Sequence, residues 1–164
     1  MIWVYFGVSA LLLLLDQLAK AVISDTLPLC VPGACQSIEV LPIFKLTVLH
    51  NTGAAFSFLH DAGGWQRWFL VSVSAGVSVF IAAWLYRIHR QQTLLAVALT
   101  LILGGALGNL VDRALQGYVV DYLVFYYESY YFPAFNIADS AITIGAALLI
   151  LDMFLHREST EETA

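Results

Sequence analysis

Apolar residues run almost unbroken through four stretches of the chain, near 2–23, 67–88, 93–111 and 137–155, and polar sequence is gathered between them. At 1.5 Å per helical residue each run is long enough to cross a hydrocarbon core of ~30 Å. Four long runs of this kind predict spans rather than the core of a globular domain. The stretch at 24–66 carries Pro28, Pro32 and Pro42, and within it 38–49 mixes β-branched and apolar residues with Glu39, Lys45 and Thr47, which predicts short strands. A tight basic turn, Tyr86-Arg-Ile-His-Arg-Gln-Gln92, joins the second and third runs. In the second polar segment, 112–136, aromatic residues crowd 122–132, and these predict a short helix lying on the membrane surface. The expected fold is a mainly α membrane protein: a four-transmembrane-helix bundle with a small extracytoplasmic β-rich segment and a short interfacial helix. Residues 1–164 are expected to form one integral membrane domain.

Composition agrees with the pattern. Of 164 residues, 60% are hydrophobic and 12% charged, against about 45–50% and about 25% in ordinary globular chains. A formal net charge of −5 excludes nucleic acid, which selects basic surfaces. The N-terminal run has no basic segment before it and leads directly to Asp16 and Lys20, so it is expected to be a retained helix rather than a cleaved signal. Cys30 and Cys35 share one short loop. They can form a local disulfide if that loop faces an oxidising compartment, whereas two thiols without a neighbouring histidine do not suggest a metal site.

An even number of spans puts both termini on one side. Arg87, Arg90 and Arg157 stand against Lys20, Lys45, Arg67 and Arg113, so a raw count does not give a positive-inside pattern. The density of basic residues in the short second turn favours cytoplasmic termini and an outward-facing site. Trp65, Trp68, Tyr118, Tyr122, Tyr126, Tyr127, Tyr130 and Tyr131 fall near expected membrane edges, where aromatic rings anchor.

Polar residues at membrane depth need a reason, because an ionisable group at the bilayer centre costs ~2.5–3.5 kcal/mol even on lenient scales. Asp16 and Lys20 share a face at i, i+4 with the acid first, which suits a structural ion pair. Gly104 and Gly108 form a small-xxx-small pair that permits close helix approach. Asn109 and Arg113 share a face on the same helix; Asp112 and Arg113 can pair at its end, or the guanidinium can orient substrate carbonyls. Asn136 suits a helix N-cap, and Asp139 suits the third helical position, where the macrodipole favours an acid. Asp121 has no such local explanation, standing in an apolar, aromatic stretch without a neighbouring base. A loop of this length can fold back and bring Asp121 and Asp139 together. Two carboxyl groups in one poorly hydrated site share a proton, giving a base for water and an acid for a carbonyl, as in aspartic proteases. The four histidines are scattered, and no metal-ligand spacing is present.

Taken together, five segments carry a resemblance: Asp16-Gln-Leu-Ala-Lys20, Asn51-Thr-Gly-Ala-Ala-Phe-Ser57, Gly104-Gly-Ala-Leu-Gly-Asn-Leu-Val-Asp-Arg113, Val119-Val-Asp121 and Phe135-Asn-Ile-Ala-Asp139. Across nearly its whole length the chain resembles the lipoprotein signal peptidases (signal peptidase II). That resemblance implies catalysis by Asp121 and Asp139, and substrate binding by Asn51, Gly53, Asn109, Arg113 and Asn136. It gives Asp16, Lys20 and Asp112 structural support, and it requires no metal or other cofactor. The implied partners are membrane lipid, a diacylglyceryl-modified prolipoprotein cut on the amino side of its lipidated cysteine, and the cyclic peptide inhibitor globomycin. The implied place is the bacterial cytoplasmic (inner) membrane, and a monomer is expected. The chain departs from the family pattern in two ways: Ala19 stands where Ser or Thr is frequent, and the segment holding Cys30 and Cys35 resembles an insertion. Two rival expectations are weaker. A proton-coupled transporter calls for acids deep in the spans and internal repeats. A non-enzymatic assembly factor calls for polar residues spread along helix interfaces.

Overall fold

The computed structural model describes residues 1–53 and 64–161, with side chains through Leu155. In chain order the elements are α1 (Ile2–Thr26), β1 (Ile38–Leu41), β2 (Phe44–Asn51), α2 (Trp65–Ile88), α3 (Thr93–Leu115), β3 (Val119–Tyr127), β4 (Tyr130–Tyr131) and α4 (Ile137–Glu161). Four helices among the described residues are long and apolar enough to cross a membrane. The central one is α3, which packs against α1, α2 and α4. Its apolar window is 56% buried, compared with 17–22% in the other three. The outer helices instead turn large side chains such as Leu14, Leu18, Val79 and Phe154 outward, as lipid-facing helices do.

Close packing around α3 depends on missing side chains. A Cβ at Gly105 would collide with the Ala138 carbonyl of α4, and one at Gly108 would lie 2.7 Å from the Asp16 carboxylate on α1. These two positions let three helix backbones converge just below the sheet. The helix then continues past the expected end to Leu115, because Asp112 is buried and partnered there rather than released to the loop.

The sheet is antiparallel in the order β1-β2-β3-β4. The predicted strand segment forms β1 and β2, turned at Pro42 and Ile43. The expected surface helix at 122–132 is corrected: these residues form β3, a turn with Glu128 at φ 52° and the short β4. Their β-branched and aromatic side chains suit a pleated surface, and pairing with β2 satisfies the backbone between Val119 and Phe125. Tyr122 is likewise not an interfacial anchor. It is buried with Leu27, Val48 and Val120, and burial pushes its hydroxyl up to about 12. Ala19 packs against the same cluster, so a methyl group suffices at that position.

A disulfide joins Cys30 and Cys35. The loop it closes is fastened to β2 by the Cys30 N–H, which donates to the Val48 carbonyl at 2.8 Å.

Candidate active site

The site is assembled where β3 meets the start of α4. The Leu123 N–H donates to the Phe135 carbonyl at 2.9 Å, and the Phe135 N–H returns a bond to the Leu123 carbonyl at 3.1 Å. This small bridge places the residue after Phe135 beside Asp121. Asn136 Nδ2 accordingly donates to Asp121 Oδ1 at 2.8 Å. The same residue caps α4: Asn136 Oδ1 accepts the Asp139 N–H at 2.9 Å, while Asp139 Oδ2 accepts the Asn136 N–H at 3.2 Å. The helix-capping role read for these two residues is thus real, and it coexists with a second one. Through Asn136, the cap of one helix is wired to the acid of a strand.

Both carboxylates line a single cavity of about 360 Å³, together with Asn51, Asn109 and Arg113. That volume holds several waters at ~30 Å³ each. From the described residues each carboxylate accepts two hydrogen bonds. Asp121 Oδ2 takes one from Asn51 Nδ2 at 3.0 Å, and Asp139 Oδ1 takes one from Asn109 Nδ2 at 2.7 Å. Burial first, and then the charge of Asp139, push the Asp121 carboxyl up to about 7; hydrogen bonds from Asn51 and Asn136 oppose that rise.

The backbone around Asn51 is tied to Arg113. Asn51 Oδ1 accepts the Gly53 N–H at 3.0 Å, and Arg113 Nη2 donates to the Gly53 carbonyl at 2.9 Å. Among the described residues Arg113 Nε is buried without a hydrogen-bond partner. The motif residues that follow, Ala54 to Ser57, lie outside the described residues.

Beneath the cavity sits a buried ion cluster. Lys20 Nζ lies 2.7 Å from Asp16 Oδ2, 2.8 Å from Asp112 Oδ2 and 3.1 Å from Asn109 Oδ1. An ammonium has three N–H groups, and all three are used. Asp112 therefore pairs with Lys20 rather than with its neighbour Arg113. The cluster also sets the direction of an amide. Asn109 Oδ1 faces Lys20 and Asn136 Nδ2, which obliges its NH₂ to face Asp139. Asp16 Oδ1 further accepts the Ala138 N–H at 2.9 Å, docking the start of α4 onto α1.

Two residues not singled out in the sequence belong to this scaffold. Gln17 Nε2 donates to Asp112 Oδ1 at 2.7 Å and to the Gly108 carbonyl at 3.2 Å. Arg67, in the first turn of α2, donates from Nε to the Arg113 carbonyl at 3.0 Å and from Nη2 to the Ala114 carbonyl at 2.8 Å. These carbonyls belong to the last turn of α3, where a cation is favoured by the macrodipole, and the Arg113 carbonyl also accepts the Gly117 N–H at 3.2 Å. Gly117 follows at φ 88°, its missing side chain leaving room for Arg67. Arg67→Ala is expected to lower stability by about 1–2 kcal/mol. Thermal unfolding in detergent checks the loss, and Arg67→Lys is expected to recover less than half of it, because one ammonium cannot span both carbonyls as a fork does.

Four spans beneath a small sheet, with two aspartates on one cavity at that end of the bundle, define a multi-pass membrane protein with an acidic site. The family model described as Signal peptidase (SPase) II matches residues 8–155. The chain is 54% identical over 158 residues to the lipoprotein signal peptidase of Alteromonas mediterranea, covering 96% of this chain and 84% of that protein. It is 54% identical over 148 residues to the lipoprotein signal peptidase of Teredinibacter turnerae, covering 90% of this chain and 85% of that one. A bacterial membrane enzyme solved by the in meso method superposes with a TM-score of 0.77 at 29% identity, covering 97% of this chain and 92% of that chain. The chain belongs to the signal peptidase II family, and it is a membrane peptidase.

Proposed function

We propose that this protein is an aspartic endopeptidase of the bacterial inner membrane that removes signal peptides from diacylglyceryl-modified prolipoproteins. It cuts on the amino side of the lipidated cysteine and works as a single membrane domain, a monomer with no metal or organic cofactor. The observation that carries the reading is that Asp121 and Asp139 face one cavity and are bridged by Asn136.

In the resting site Asp121 and Asp139 share one proton. Water between them gives its proton to the ionised acid as its oxygen attacks the scissile carbonyl, and the protonated acid donates to the developing oxyanion. Collapse of the tetrahedral intermediate breaks the C–N bond: the acid that took the water proton passes it to the leaving amine of the lipidated cysteine, and a hydroxyl of the intermediate returns its proton to the other acid, restoring the shared proton. Asn51, Gly53, Asn109, Arg113 and Asn136 hold the acids and the substrate backbone, and Asp16, Lys20 and Asp112 hold the helices that carry them. Globomycin, a cyclic peptide, would occupy the same cavity.

Orientation is supported by the disulfide. A Cys30–Cys35 bond persists in an oxidising compartment, which favours an outward-facing segment at 24–66 and cytoplasmic termini. The sheet and the acid cavity then lie at the extracytoplasmic surface. The test is incubation of the purified protein with a diacylglyceryl-modified prolipoprotein and with its unmodified precursor, followed by mass analysis. Cleavage of the modified form alone, immediately before the cysteine, is the expected result. Cleavage elsewhere, or equal cleavage of both, contradicts the proposal.

A further inference from the structure

Three cavities meet at one side chain. The acid cavity is the first. A second, of about 550 Å³, runs beside the first two turns of α4, between the rings of Phe125, Phe132 and Phe135 on one side and Ser140, Thr143 and Ile144 on the other. A third, of about 460 Å³, opens on the sheet beside Ile43 and the β4 tyrosines. Among the described residues Phe132 alone lines all three. Its ring meets Phe135 edge-on at 6.1 Å, and Phe135 stacks on Phe125 at 5.9 Å.

The second cavity has the chemistry of an acyl-chain groove. Among the described residues it is walled, apart from Asp139 at its inner end, by rings, hydroxyls and aliphatic carbon, without a basic group. At its outer end Ile144 is 54% exposed on a helix that spans the membrane, so the groove is continuous with the lipid surface of the bundle. At its inner end Asp139 and Thr143 belong to the acid cavity as well. A chain lying in the groove therefore starts in the bilayer and ends beside the carboxylate pair.

We infer that this groove receives an acyl chain of the lipidated cysteine, and that Phe132 separates that chain from the two peptide arms of the substrate. The inference rests on the proposed function above. It assigns the selectivity for lipid to Phe132, Thr143 and Ile144 rather than to the acids. Recognition is by removal of methylenes from water, so it depends on chain length.

The test compares synthetic prolipoprotein peptides that differ only in the diacylglyceryl group, dipalmitoyl or dibutyryl, turned over by the full chain in bicelles. The wild type is expected to prefer the long-chain substrate at least tenfold in kcat/KM, chiefly through KM. Ile144→Trp, which fills the outer groove, is expected to lower that preference at least tenfold, and Phe132→Ala to lower it as well. An unchanged preference in both variants overturns the inference. So does a preference that follows the signal sequence instead of the chain length, which would give the groove to the peptide. Wild-type protein that cleaves neither substrate overturns the peptidase site itself, a failure distinguishable from that of the groove.

Discussion

Asp121→Asn is expected to reduce cleavage of a lipidated reporter by at least ~10³-fold, the scale on which a positioned acid–base group contributes. Asp139→Asn is expected to do the same, because neither acid can both take the proton of water and supply one to the carbonyl. The loss should not be a folding defect. Burial and the charge of Asp139 hold the Asp121 carboxyl up near about 7, so the folded state binds that proton more tightly than the unfolded chain. Its contribution to stability is complete below the ordinary carboxylate range and is lost as pH rises through about 7. An amide has no such charge to lose. Thermal unfolding of Asp121→Asn should therefore match or exceed that of the wild type at pH 8. Wild-type-like turnover by either variant removes the pair from catalysis.

The second large effect concerns Lys20. Asp16 and Asp112 are each 1% exposed and Lys20 is 4% exposed, so Lys20→Met leaves two carboxylates buried against each other without a cation. Removing one partner of a buried ion pair costs about 3–5 kcal/mol, and unfolding in detergent should register a loss of that size. A combined variant, Lys20→Met with Asp16→Asn and Asp112→Asn, separates stability from orientation. Neutralising both acids should restore most of the stability. It does not restore the Lys20 ammonium, the shorter of the two donors to Asn109 Oδ1 beside Asn136 Nδ2, so kcat is expected to stay below wild type with little change in KM. Full recovery of kcat in that variant would make the cluster a structural support alone.

How far the sequence could be read depended on whether partners were local. The four helices were legible because a span is a property of one continuous segment. The cap formed by Asn136 and Asp139 was legible for the same reason, its members lying three residues apart. Asp121 stood out by contrast, as an acid with no local partner. The hairpin of β3 and β4 was misread as a surface helix because the same density of tyrosine and phenylalanine serves either structure; the pairing of Leu46 with Leu123 that decides the matter spans 77 positions. The scaffold roles of Gln17 and Arg67 were not legible because their acceptors lie 95 and 46 positions away. The disulfide was left open in the sequence because two nearby thiols do not state their compartment; the fold joins Cys30 to Cys35.

The central claim is that Asp121 and Asp139 share one proton. Its most direct test is the carboxyl titration of the full chain in bicelles, with ¹³C-labelled aspartate followed by NMR or infrared absorption. One carboxyl, assigned to Asp121 by its loss in Asp121→Asn, is expected to titrate near 7 and to fall toward the ordinary range in Asp139→Asn, where the neighbouring charge is gone. A midpoint near 4 in the wild type, unmoved by Asp139→Asn, would mean that the two acids do not act on one another and would contradict the account.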